Sequence, residues 1–388
     1  MTEIQILKKL ISLDSQVTKS NKTIVDFIAS LFPKKICRIT KLKKGNLDLY
    51  NLTIKFTGKN STNPLIFSGH TDTVPVSNRW TKNPFTGIIS QGKIFGLGSS
   101  DMKAGLAALI TTALSIQETP PQDIYFLFDA DEEEICIGGY AFLKDLKIKP
   151  HTAQVIVAEP TGGDLIIGQK GAIDIRVTFF GESFHASKTS AQKNQTHNAI
   201  NKAAAAITAL SQLEIMLEKN THNLFGSATQ AVCLINGGTA GNVIPDKCEI
   251  SISRRFLPSE NPDNILKEIK QILNKLDGQT KVETRFIGQS NLLSNDSPLL
   301  LTARNISKKI LKKEKIIVAP YWTQAGNFKL WGDCLIWGPG EVKMAHQANE
   351  YCPIKQVGQM VKCYKMLIAE TNNNLKKSKK SALPGSPS

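Results

Sequence analysis

Short apolar runs that break off into polar residues recur along the chain. The run Ile124, Tyr125, Phe126, Leu127 and Phe128 drives into DADEEE, PLIFSG drives into His70, AQVIVA into Glu159, and CLIWGPGE leads through a loop to His346. Five successive residues of buried type are too few for a helix in a compact domain and suit a strand covered on both faces. Helix-period stretches alternate with these runs: residues 3–13, residues 22–32 with Pro33 ending them, MKAGLAALITTALSI after Asp101, and residues around 138–146. Residues 47–57 read as a further strand, and residues 80–98, with Pro84, Gly87, Gly92, Gly96 and Gly98, as turns and a hairpin. Strand alternating with helix predicts an α/β fold, a mostly parallel sheet flanked by helices. Ligands of open α/β sheets bind outside the carboxyl ends of the strands, so these runs should deliver their imidazole and carboxylate side chains to one crevice.

After Gly171 the pattern changes. AIDIRVTFF alternates like a strand, residues 195–218 are long and Ala-rich like a helix, and TQAVCLING and KCEISISRRF are two more strands; a helix over 261–276 and the strand TKVETRFIG follow. This βαββαβ order is that of a ferredoxin-like domain, one four-stranded sheet with two helices, and it spans residues 172–288. The flanking segments 1–171 and 289–371 share the first style, so the smaller domain is read as inserted, and two domains suit 388 residues. From Asn372 the chain has almost no apolar content, and residues 372–388 are expected to form a disordered basic tail.

Composition narrows the class. Hydrophobic content of 41% and charged content of 21% are ordinary for a soluble globular enzyme. No apolar run approaches the roughly 20 residues that span a bilayer, and MTEIQILKKLISLDS alternates charge with apolar residues as an amphipathic helix does, unlike a signal peptide. The cysteines, seven of them and never spaced as CxxC, suit reduced thiols packed in a cytoplasmic protein. A net charge of +15 raises the question of nucleic acid. The lysines are spread out, however, with small clusters at 34–44, 308–315 and 376–380 and no interleaved aromatics, so neither a nucleic-acid nor a membrane partner is expected.

Candidate chemistry gathers at the strand ends. His70 and Asp72 are two apart and project to one side of an extended segment, where the carboxylate can accept the imidazole's free N–H and fix its tautomer. FGLGSSD begins as a GxGxxG, but Asp101 stands at the third glycine and puts a negative charge where a pyrophosphate would lie, so a dinucleotide site fails there. Asp101 is either a helix cap or a carboxylate bridging two cations. Asp131, Glu132, Glu133 and Glu134 crowd like charges that cations must neutralise, and with no arginine nearby in sequence metals are the expected neutraliser.

In this order, GHTDTVP, GLGSSDMKAGLAAL, DADEE, AEPT, GESFHAS, NVIPDKCEI and GPGEVKMAHQANEY resemble the zinc-dependent family that contains acetylornithine deacetylase, succinyl-diaminopimelate desuccinylase, aminoacylase and related carboxypeptidases, over residues 1–370. The resemblance is nearest to the acetylornithine and acetylcitrulline deacetylase branch, through W-T-x-A, GPG and AHQ-x-x-EY. It implies a two-zinc catalytic domain over residues 1–171 and 289–371, interrupted by a lid at 172–288 that also mediates homodimerisation. It makes His70, Asp101 and Glu159 the ligands of one zinc and Asp101, Glu133 and His346 those of the other, with cobalt or manganese as substitutes. Glu132 becomes the general base, and Asp72 orients His70. His185 reaches across the dimer interface to an oxyanion, and Asn242 and Arg255 take the substrate's carboxylate.

Members of that branch usually read TEA where this chain has Thr323, Gln324 and Ala325. Gln324 is therefore expected at the substrate, its lost charge favouring a neutral side chain such as that of citrulline. The implied activity is hydrolysis of an N-acyl amino acid, with N-acetylornithine deacetylation in arginine biosynthesis first. N-acetylcitrulline deacetylation and succinyl-diaminopimelate desuccinylation in lysine biosynthesis are the alternatives. A catalytically silent relative that binds a ligand or nucleic acid is the reading from another class, and the presence of every ligand and the base argues against it.

Overall fold

The computed structural model describes residues 1–276 and 279–381, with the backbone alone for 371–381. The chain divides into two compact units, one of Met1–Gly168, Leu292–Ile317 and Thr323–Ser388, the other of Gln169–Asn291 and Val318–Trp322. The α/β class holds. In the larger unit the sheet order is Cys37–Lys44, Leu47–Phe56, Gln122–Asp129, Asn60–His70, Ala153–Val157, Gly332–Ile336 and Leu165–Gln169. Its four central strands, Gln122–Asp129 to Gly332–Ile336, run parallel, while the flanking pairs are antiparallel.

The central strands are apolar on both faces because helices cover them. Phe67 and Phe126, register partners on adjacent strands, stack with ring centroids 5.0 Å apart, and Tyr364 of the helix Ile354–Ser381 packs on Phe67 at 5.4 Å. The helices Glu3–Ser12, Lys103–Leu114, Pro298–Ile310 and Ile354–Ser381 pack into one group, and Ile137–Asp145 packs with Ala325–Phe328 in another. Lys103–Leu114 is apolar nearly all round, and ten of its residues are buried, as befits a helix enclosed within the unit. It comes so close to the end of Ala153–Val157 that a Cβ on Gly105 would lie 2.2 Å from the Ala158 carbonyl oxygen. Among the described residues no helix is long and apolar enough to cross a membrane.

The smaller unit is the βαββαβ array. Its antiparallel sheet has the order Thr229–Gly237, Lys247–Phe256, Gly171–Phe180 and Lys281–Gly288. Alternate residues Ile173, Ile175, Val177 and Phe179 of the inner strand meet Ala199, Ala203, Ala206, Leu210, Leu213 and Leu217 of the helix Ala199–Glu218, the two periodicities sharing one core. The segment Val318–Trp322, which sequence alone leaves with the larger unit, belongs here: Trp322 meets Phe286 edge-on at 4.7 Å, and its Nε1 donates to the Gln289 carbonyl at 3.0 Å.

Two further expectations change. The backbone expected to be disordered from Asn372 is helical to Ser381, since extending a docked helix avoids the cost of nucleating a new one; residues 382–388 lie outside the described residues. Five cysteines are buried as expected, but Cys37 is only partly so and Cys233 is exposed.

The close approach at Gly105 makes a sharp test. Gly105→Ala should lower the unfolding free energy by about 2 kcal/mol despite alanine's better helix propensity, as measured by urea denaturation.

Candidate metal centre

Parallel pairing aligns the strand ends. His70 is opposite Asp129, Ser68 opposite Val157, and Ile336 opposite Val157, so the segments leaving these four strands start at one level. His70 ends its own strand, Glu133 follows Asp129 by four residues, Glu159 follows Val157 by two, and His346 sits in the loop after Ile336. Asp101 precedes the helix Lys103–Leu114, whose N-cap is Met102 with no side-chain cap bond, so the capping role left open for Asp101 is not used.

Two triads result, each of one imidazole and two carboxylates: His70, Asp101 and Glu159, and Asp101, Glu133 and His346. Within each, the donor atoms all lie within 4.8 Å of one another. Asp101 belongs to both. Its Oδ1 is 3.2 Å from His70 Nε2 and its Oδ2 is 3.6 Å from His346 Nε2. His70 Nε2 is also 3.6 Å from Glu159 Oε1, and His346 Nε2 is 2.8 Å from Glu133 Oε2. Glu159 Oε1 is buried and accepts no hydrogen bond, a costly state for a carboxylate oxygen unless a cation meets it. Nitrogen and oxygen donors without sulfur fit a catalytic divalent cation such as zinc, cobalt or manganese.

The electrostatics are those of crowded acids. Burial, reinforced by the neighbouring carboxylates, raises Glu159 and Glu132 well above the usual range, with His70 acting against it. Burial opposes a charged His70, but Glu159, Asp101, Glu132 and Asp72 outweigh it and hold its pKa well above the ordinary value. The hydrogen bond to Glu133 lifts His346 to about 9. Asp131 and His346 adopt left-handed backbone, φ 67° and 60°, an uncommon conformation for such residues that marks both loops as held in place.

Peptidase family M20/M25/M40 matches residues 66–370 of the chain. The chain belongs to this family. Among its relatives, the acetylornithine deacetylase of Buchnera aphidicola subsp. Schizaphis graminum is 30% identical over 92% of this chain and 93% of its own length. The probable succinyl-diaminopimelate desuccinylase of Staphylococcus aureus (strain Mu50 / ATCC 700699) is 27% identical over 90% and 94%. In fold the chain is similar to an M20 family metallo-carboxypeptidase from Sulfolobus solfataricus, with a TM-score of 0.76 at 17% identity and coverage of 94% of this chain and 98% of that one. As a member of the M20/M25/M40 family the chain is an enzyme of the amidohydrolase and peptidase kind.

Several residues of this M20/M25/M40 member stand differently from the sequence expectation. His70 Nδ1 lies 3.0 Å from the backbone carbonyl of Asp72 and 3.9 Å from its carboxylate, so the tautomer is set by main chain. The Asp72 carboxylate instead accepts the backbone N–H groups of Glu132 at 3.3 Å and Glu133 at 3.1 Å, and holds the acidic loop. Gln324 is 0% exposed at the N-cap of the short helix Ala325–Phe328, with its Nε2 donating to Ser68 Oγ at 3.2 Å. His185, Asn242 and Arg255 belong to the smaller unit, where Phe184–His185 pairs with Val243–Ile244 and Ala186 N donates to Asn242 O. Arg255 is partly exposed, whereas Arg254 beside it is buried and bonded to Glu260 at 2.5 Å.

Two residues went unread in the sequence. Lys44, at the end of Cys37–Lys44, pairs with both Asp131 and Glu134, so a lysine rather than a metal neutralises two of the four crowded acids. Its place in a run of lysines hid it. The other is Glu350, a buried carboxylate four residues beyond His346. Because Asp131 is wholly buried and Lys44 only 19% exposed, Lys44→Met should cost about 2 kcal/mol of stability. Equilibrium unfolding of Lys44→Met, Asp131→Asn and the double variant should return a favourable coupling energy for the pair.

Proposed function

We propose that the chain is a two-metal deacylase of N-acyl amino acids, with His70, Asp101 and Glu159 holding one cation and Asp101, Glu133 and His346 the other. The observation that carries this reading is Asp101, whose two oxygens face different imidazoles. Zinc is the assigned metal, with cobalt and manganese as substitutes. When bound, the ions would polarise the acyl carbonyl and lower the pKa of the attacking water.

Glu132 carries the proton. It takes one from the attacking water and passes it to the departing amine nitrogen, which lets a poor leaving group depart neutral. Its backbone N–H donates to Asp72 Oδ1, which fixes the start of the acidic loop beside the two triads. On the smaller unit we assign Asn242 and Arg255 to the substrate's carboxylate and His185 to the oxyanion of a substrate held by a second copy of the chain. What supports a dimer is the strand Thr229–Gly237, an edge of its sheet whose Leu234 and Ile235 are 66% and 55% exposed. An apolar unpaired edge is a natural place for another chain to pair.

We assign N-acetylornithine as substrate, in keeping with the name of the relative at 30% identity. N-acetylcitrulline and succinyl-diaminopimelate are the competitors, the second in keeping with the relative at 27%. Comparing kcat/KM on the three, alongside elemental analysis, should return two metal equivalents per chain and the highest value on acetylornithine. A clear preference for the succinyl substrate overturns the substrate assignment, and fewer than two equivalents overturns the site.

Glu132→Gln should retain both metals and lose about 10²- to 10⁴-fold in kcat. Leu234→Arg should convert a dimer to a monomer by light scattering, and an unchanged mass would sink the dimer assignment.

A further inference from the structure

The segment that carries Asp101 is tied to the segment that carries His346 at two places: Ser100 Oγ donates to Glu341 O at 3.1 Å and accepts from Glu341 N at 2.8 Å, and Glu350 takes the larger share. Glu350 is 2% exposed, and its side chain accepts three backbone N–H groups: Gly98 N at 2.7 Å on Oε2, and Ser100 N at 2.6 Å and Asp101 N at 2.8 Å, both on Oε1. Its own carbonyl accepts a fourth, from Gly96 N at 3.0 Å. Nothing in the hydrolytic chemistry above uses this carboxylate.

The arrangement calls for acceptor oxygens on both arms of the side chain. A carboxylate presents acceptors on both oxygens and is drawn to converging N–H dipoles, whereas an isosteric amide turns an N–H₂ donor toward at least one of them. The loop it grips makes two local turns, Ser99 N donating to Gly96 O at 3.0 Å and Lys103 N to Gly98 O at 2.7 Å, and its shape leaves no room for a side chain at Gly98. Gly98 is left-handed at φ +75°, and a Cβ there would meet Thr73 Cγ2 at 2.6 Å. The other end of the clamp is also tethered: the neighbouring Asn349 Oδ1 accepts Thr81 N at 3.1 Å and Lys82 N at 3.0 Å.

We propose that Glu350 is a positioning residue that sets the separation of Asp101 from His346 and so builds the Asp101–Glu133–His346 cation position. The inference rests on the two-metal reading. The other position keeps His70 and Glu159 on strand ends that Glu350 does not touch, so it depends on the clamp far less.

The test is a stepwise Co²⁺ titration of apo protein followed by visible absorption, with an apo melting curve as the folding control. Wild type should take two equivalents. Glu350→Gln should bind the first within about threefold of wild type and the second at least about tenfold more weakly, the size of effect seen when groups supporting a ligand are removed. His346→Ala should show the same selective loss, and Glu350→Asp, which keeps the charge on a shorter stem, a smaller one. Should Glu350→Gln fail to fold, Glu350→Asp carries the comparison. Two equivalents bound as in wild type, or both weakened alike, overturns the clamp while leaving the two-metal reading intact. A wild-type protein that takes fewer than two equivalents overturns both.

Discussion

Everything at the centre depends on four parallel strands ending together. Side chains alternate across a sheet, so a slip of one residue between Asn60–His70 and its neighbours would turn His70 to the opposite face and separate it from the loops after Asp129 and Val157. The stacked pair Phe67 and Phe126 and the close seat of Lys103–Leu114 at Gly105 both oppose such a slip. Packing in the interior and chemistry at the rim are thus one constraint seen from two ends. Core residues here specify where charges go.

Those charges are held by unlike means. Asp131 and Glu134 meet Lys44; the backbone of Glu132 and Glu133 is gathered by Asp72; the Asp101 loop is gathered by Glu350. Each supporting group comes from a different part of the chain than the residue it supports. What remains, Glu132, Glu133, Glu159 and the two imidazoles around Asp101, is the set suited to cations and to proton transfer. The supports sort a crowded acidic cluster into bystanders and working groups.

Much of this was legible in the sequence because apolar runs have a length and an ending. The runs before His70, Asp131, Glu159 and His346 pointed to one crevice and the switch to period-two strands after Gly171 to the inserted unit, whereas Asp101 and the choice of Glu133 among the acids came from the resemblance to the family. The misreadings share a cause: side-chain partners are long-range. Asp72 lies two residues from His70, so adjacency suggested a carboxylate–imidazole pair, yet the carbonyl is nearer and the carboxylate reaches sixty residues ahead. Lys44 and Glu350 are separated from what they hold by tens to hundreds of residues; Glu350 falls within AHQ-x-x-EY, but the motif does not say what it holds.

The chain order of the large sheet bears on how the molecule is made. Gly332–Ile336 pairs with Ala153–Val157 and with Leu165–Gln169, but it is synthesised only after the whole of Gln169–Asn291. Domains mature as units while the ribosome delivers them, N-terminal parts first. The first half of the large sheet must therefore wait, with the edge of Ala153–Val157 uncovered, while the inserted βαββαβ array emerges and folds. The nascent polypeptide is most vulnerable to edge pairing and aggregation during that interval.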